Sequence, residues 1–225
     1  MFDILNDVNK NYCYIFGAAP ISAPLKFAPN DSDFVIAADA GYKFLLSQNI
    51  KPNLLVGDLD SLGYVPDSIE LVRFPSVKDD TDMMLAINEG IKRRYKEFII
   101  YGGMGGKLEF TLANLQILYN IVNQGCKCYF IDNNSLVTAV KNSKLEFDEN
   151  FRGRISVFAG ATEACGVTIN GLKYTLNDGI LKCDNPLGVS NEFIGECGYI
   201  SVTDGILYII YDSCNDFLSH NTLYD

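Results

Sequence analysis

Histidine is almost missing from this chain: the single one, His220, stands in a polar tail close to the last residue. That scarcity argues against a Ser-His-Asp or Cys-His nucleophile and against a histidine-built zinc site. Proton transfer is left to carboxylates, lysine or tyrosine. Positive charge is also short. Eighteen Lys and Arg stand against 28 Asp and Glu, a net charge of −10. Such a chain repels nucleic acid and anionic membrane surfaces, because it has no cation excess to release counterions. Its richest basic run, Lys92-Arg93-Arg94, closes an expected helix and complements the dipole there. A polyanion bound here needs a metal ion as intermediary. Long apolar runs are absent, and Met1 to Asp7 has no basic region. Neither a signal peptide nor a membrane span is expected there. The seven cysteines are odd in number and lack metal-type spacing, so reduced structural thiols in a cytoplasmic protein are the expectation.

What is present is ordinary globular material. Hydrophobic residues at 48% and charged residues at 20% are close to average usage and exclude general disorder. The 225 residues suffice for one large domain or two modest ones. Apolar runs at Tyr12 to Phe16, Phe34 to Ala38, Leu54 to Val56, Phe98 to Tyr101 and Cys126 to Ile131 alternate with helical patterns. Those patterns cover Tyr42 to Gln48, Asp80 to Tyr95 and Leu108 to Asn123. Continuously apolar strands read as buried on both faces, so an α/β domain with a mostly parallel sheet and flanking helices is expected over residues 1–136. Ligands of such sheets bind beyond the carboxyl ends of the strands. From residue 137 to 225 the runs shorten, alternate and are split by Asn-Gly and Asp-Gly, which predicts an antiparallel β-sandwich. Asp204-Gly205, between Ile200 to Thr203 and Ile206 to Tyr211, reads as a hairpin turn.

Carboxylates gather where the α/β pattern places a site. Asp58 and Asp60 follow a short apolar strand, and Gly57 lets the chain turn so that both can aim into one crevice. Asp79 and Asp82 lie three apart at a helix start and can share a face. Asp39 ends the second strand. Hard oxygen donors of this kind suit Mg²⁺, which takes one or two carboxylates with waters and substrate phosphates. A plainer reading makes Asp79 or Asp80 an ordinary helix cap, and Asp58 with Asp60 a solvated acidic turn. Two carboxylates two residues apart repel one another without a cation, and together the clusters favour metal.

Gly102-Gly103-Met104-Gly105-Gly106-Lys107 lies between a strand and a helix. Glycines there let an anion approach exposed N–H groups at a helix start. The spacing is not that of a Walker A loop. Lys107, Thr111 and Asn114 form a polar stripe, and Leu108, Leu112 and Leu115 an adjacent apolar one expected to pack on the sheet.

These segments, Ala38-Asp39-Ala40-Gly41, Gly57-Asp58-Leu59-Asp60-Ser61, Lys78-Asp79-Asp80-Thr81-Asp82, Gly102 to Asn114 and Ser190-Asn191, resemble the thiamine pyrophosphokinase family in order and spacing. The resemblance implies an enzyme with an α/β nucleotide domain and a β-sandwich domain that contributes to the thiamine site and the dimer interface. It implies Mg²⁺ and transfer of a diphosphate from ATP to thiamine in a homodimer. By the same resemblance Asp58, Asp60 and Asp82 hold metal and polyphosphate and are catalytic. Asp39, Lys78, Asp79, Gly105, Gly106, Lys107, Glu109 and Asn114 fall at nucleotide positions, and Asp79, Ser190 and Asn191 at acceptor positions. Where the family shows G-G-R-x-D-[HQ], this chain has Gly105-Gly106-Lys107-Leu108-Glu109-Phe110. Lysine keeps the charge but loses the bidentate fork, and phenylalanine drops a hydrogen-bonding side chain, so nucleotide affinity and base preference are the properties these changes touch. Three other readings stand beside this one. They are a diphosphokinase for another hydroxymethyl heterocycle such as hydroxymethylpterin, a phosphohydrolase using Asp58 as nucleophile, and a non-catalytic nucleotide sensor.

Overall fold

The structure, a computed structural model, describes residues 11–21, 29–58, 69–74, 79–132 and 135–212. The chain separates into two units, one of Asn11–Leu118 with Cys128–Asn133, the other holding Tyr119–Lys127 and the described residues from 135 on. In the first unit the apolar runs become strands: β1 (Tyr12–Phe16), β2 (Phe34–Ala38), β3 (Leu54–Gly57), β5 (Glu97–Tyr101) and β6 (Lys127–Ile131). A further strand, β4 (Glu70–Arg73), had no signal in the sequence. It pairs only with β3 and leaves Glu70 and Arg73 exposed, so it lacks the apolar run that marks a doubly covered strand.

The strands of this unit lie in the order β6-β5-β1-β2-β3-β4. The pairs β5–β1, β1–β2, β2–β3 and β3–β4 are parallel. Every residue of β1 and β3 is buried, as expected for strands covered on both sides. Helix α1 (Gly41–Ser47) follows β2, α2 (Asp82–Lys92) precedes β5, and α3 (Leu108–Asn123) follows β5. Helix α2 buries Met83, Leu85, Ala86, Ile87 and Gly90 on one side. Its far end is held by Glu89, which accepts from Lys92 at 2.7 Å and from Arg93. Arg93 also reaches Glu70 of β4 and stands 5.2 Å from the centre of the Phe34 ring. Burial pushes the Glu89 carboxyl up, but the bonds from Lys92 and Arg93 outweigh it and hold the group below its ordinary range. No described helix is long and apolar enough to cross a membrane.

In the second unit the strands pair antiparallel. One set runs β12 (Gly188–Glu192), β9 (Arg154–Ala159), β14 (Ile206–Asp212) and β7 (Ser135–Lys141). The other runs β11 (Leu176–Lys182), β10 (Glu163–Asn170), β13 (Gly198–Ser201) and β8 (Lys144–Phe147). Phe147 of β8 and Tyr211 of β14 meet at 5.6 Å, and Phe151 and Phe193 each lie 5.1 Å from Phe147. Edge-to-face packing of this kind seals the core. The expected hairpin at Asp204-Gly205 is not formed. Strand β13 already pairs with β10 and β8, so neither of its edges is open to β14. The two residues carry the chain from one set to the other, held by Gly205 N–H donating to Asn142 Oδ1 at 2.8 Å. All six described cysteines are free thiols.

Candidate active site

The order of the first sheet reverses at β1. From β1 the chain steps outward through β2, β3 and β4, then returns to β5 on the other side. Loops leaving β1 and β5 therefore diverge and open a crevice beyond the strand ends. A cavity of about 340 Å³ lies there. Gly17 to Pro20, following β1, and Gly102, Gly103 and Gly106, following β5, all line it. Gly17 N–H donates to Tyr101 O at 2.8 Å, and Ala19 N–H to Gly102 O at 3.0 Å. A Cβ on Gly17 would stand 2.5 Å from Gly102 O, and one on Gly102 2.6 Å from Gly17 O. No side chain fits between the two loops.

Asp39 and Asp82 also line the cavity. Asp39 holds a left-handed backbone (φ 47), tolerated by aspartate better than by most residues. Its N–H donates to Val56 O at 2.9 Å, and its carbonyl accepts from Tyr42 N–H at 3.2 Å. Asp82 is the first residue of α2. The cap is Thr81, whose hydroxyl accepts from Met84 N–H at 3.2 Å. Asp79 and Asp80 are exposed and precede the cap. They are therefore neither caps nor partners of Asp82 on a helical face, in contrast to the expectation from their spacing. Threonine wins the cap because its Oγ sits three residues before the orphan N–H it must reach. Asp58 follows β3 half-buried, and the Cβ position of Gly57 lies 3.4 Å from Asp39 Cα, so the ends of β2 and β3 adjoin. Asp60 and Lys78 lie outside the described residues.

Among the described residues no three His, Cys, Asp or Glu side chains gather as a ready metal cage. The donor chemistry still fits Mg²⁺. Carboxylates lining the same cavity as a glycine turn are donors of the kind by which that ion is shared between protein and substrate.

Lys107, just before α3, and Phe110, Thr111 and Asn114 of the helix line the cavity as well. Asn114 is buried and its amide donates to Gly103 O, tying the helix to the glycine turn. The expected apolar stripe is corrected. Leu108 and Leu112 are 71% and 55% exposed, and α3 is held instead by Ile117, Leu118, Ile121 and Val122 further along. Glu109 is exposed, and neither it nor Gly105 is among the residues lining the cavity. Gly105 abuts Asp132, whose Oδ2 is 3.2 Å from its Cβ position. The loop after β1 and Met83 carry no polar signal in the sequence, so their place in the lining emerges only from the structure, whereas Phe110 stands at a position the resemblance ties to the nucleotide.

In the second unit Ser190 is exposed, with φ 60, and its N–H donates to Ser156 Oγ at 3.0 Å. Asn191 is only 4% exposed. Its Oδ1 accepts from Tyr174 N–H and from Glu192 N–H, each at 2.9 Å, and its Nδ2 donates to Tyr174 O at 2.6 Å. The amide thus acts as a substitute strand for the segment at Tyr174, whose ring is exposed.

The fold is of the α/β type with a crevice at the reversal of strand order, followed in the sequence by an antiparallel β unit. Residues 26–130 match the family model described as the thiamin pyrophosphokinase catalytic domain, and residues 142–207 the one described as its vitamin B1 binding domain. A thiamine pyrophosphokinase of Bacillus subtilis is 30% identical over 183 residues, 78% of this chain and 85% of that protein. The chain belongs to the thiamin pyrophosphokinase family. Among solved structures, the enzyme of that name from Bacillus subtilis superposes with a TM-score of 0.80 at 24% identity, covering 91% of this chain and 100% of that one. Yeast thiamin pyrophosphokinase superposes at 0.74 and 16% identity, covering 96% and 90%. At these identities the superpositions speak to fold alone.

Proposed function

We propose that this chain is a magnesium-dependent thiamine diphosphokinase, which transfers a diphosphate from ATP to the hydroxyl of thiamine and releases AMP and thiamine diphosphate. The observation that supports it most is the cavity at the reversal of strand order, where a glycine turn and Lys107 meet Asp39 and Asp82. The thiamine oxygen attacks the β-phosphorus, the bond from that phosphorus to the oxygen bridging the α-phosphorus breaks, and AMP departs with that oxygen. The hydroxyl proton passes to a carboxylate. Lys107 and the N–H groups around Gly106 bind the polyphosphate and favour the charge that develops on it. Asp58, Asp60 and Asp82, with Asp39 beside them, would hold Mg²⁺, whose contribution is to neutralise the polyphosphate. Positioning then supplies much of the rate. The acceptor side is assigned to the β unit around Ser190 and Asn191, in a homodimer working in the cytoplasm, where free thiols persist.

Incubation of the chain with ATP, Mg²⁺ and thiamine should yield thiamine diphosphate and AMP in equal amounts. Formation of ADP, or of phosphate alone, overturns the reading. Product formed only when hydroxymethylpterin replaces thiamine moves the acceptor and keeps the transfer. Asp60→Asn should abolish turnover in a folded protein.

A further inference from the structure

Phe110 is the largest apolar side chain among the residues lining the cavity, and it is 54% exposed. Its neighbours on the helix surface are Lys107 on the turn before and Asn114 on the turn after. Lys107 Nζ stands 6.0 Å from the ring centre, the outer limit of a cation–π contact. The cation therefore stands over one face of the ring, so a stacked heterocycle is expected on the opposite face. The small apolar part of the wall is Ala18, Ala19, Pro20 and Ala38, and its polar part includes Thr81 and Thr111. The polar group best suited to read a base edge, the Asn114 amide, donates to Gly103 O instead.

A flat aromatic ring beside a phosphate-type turn is suited to grip a heterocycle by its face. Face stacking tolerates every base, because each has a π surface. We propose that Phe110 is a nucleotide-binding residue that stacks on the base of the donor nucleotide, and that the chain consequently discriminates little among nucleoside triphosphates. The inference rests on the reading of the cavity as the donor site. It adds the part of the donor that touches Phe110 and the weak base preference such a contact entails.

Titration calorimetry of the full chain with Mg²⁺ separates the two levels. The probes are non-hydrolysable analogues of ATP, GTP and UTP, and inorganic tripolyphosphate. In the wild type the three nucleotides should bind within about tenfold of one another. Phe110→Ala should weaken all three by about 5- to 100-fold and leave tripolyphosphate unchanged, whereas Lys107→Ala should weaken all four. Phe110→Trp should restore nucleotide binding. An ATP preference above about a hundredfold, equal binding of nucleotides by Phe110→Ala and the wild type, or loss of tripolyphosphate in that variant overturns the stacking. So does a change in oligomer mass on Phe110→Ala, which would put the ring in a subunit contact. Wild-type protein that binds tripolyphosphate but no nucleotide sinks the stacking alone. Protein that binds none of the four sinks the donor-site reading with it.

Discussion

In the α/β unit the polar side chains that matter stand at element ends and line a cavity, and main-chain devices put them there. Asp39 is placed by a left-handed residue, Asp82 by the Thr81 cap, and Lys107 by the glycine turn before α3. In the β unit the comparable side chains bond the main chain itself. Asn191 brackets Tyr174, Asn142 accepts from Gly205 N–H at 2.8 Å, and Asp212 accepts from Arg154 N–H at 2.8 Å. The first arrangement makes chemistry sensitive and stability tolerant. The second reverses that, because removing the buried Asn191 amide takes three hydrogen bonds from the main chain of Tyr174 and Glu192.

The contrast is sharpest at Asp82. Asp82→Asn should lower diphosphate transfer about 10²- to 10³-fold while its urea midpoint stays at the wild-type value. An unfolded variant, or one with near-normal turnover, breaks the comparison. Asn191→Ala should do the opposite and lose about 2–3 kcal/mol of stability through three broken bonds. Should stability hold while only the KM for thiamine rises, the amide belongs to the substrate and not to the fold.

Glu89 tests the rule inside the α/β unit, since it is a buried polar group away from the cavity. Its carboxyl lies below the ordinary range when folded. It therefore adds stability that is present above the unfolded value, about 4.3, and disappears as pH falls through the folded one. Glu89→Gln should remove about 2 kcal/mol at neutral pH and flatten the loss of stability between about pH 5 and about pH 3. Midpoints measured across that window check the sign. Thr81→Ala should have the smallest effect, about 1 kcal/mol, with a modest rise in the KM for ATP because the first turn of α2 carries Asp82.

Much of the α/β unit was legible because β1, β2, β3 and β5 are unbroken apolar runs, and a doubly covered strand has no polar face to blur it. Strand β4 was not, since an edge strand flanked by Glu70 and Arg73 reads as loop. The Asp204-Gly205 turn was visible but its role was not, because a turn residue does not say which sheet receives the next strand. Spacing alone points Leu108 and Leu112 to the core, yet both stand exposed on the first two turns of α3. At the cavity, charged residues announced themselves, whereas Gly17, Ala18, Ala19 and Pro20 carry no chemistry that a sequence displays. Asn191 was noticed for its position, and its engagement with Tyr174 needed coordinates.

The seam between Gly17 and Gly102 bears on how this site tolerates divergence. Where the two loops touch, the bonds run between carbonyls and amides, and point mutation acts on that contact chiefly through the two glycines that let the loops meet. Drift elsewhere can rewrite the walls, as Phe110 illustrates, and leave that contact as it was. Tight selection should thus fall on a pair of residues with no functional group at all.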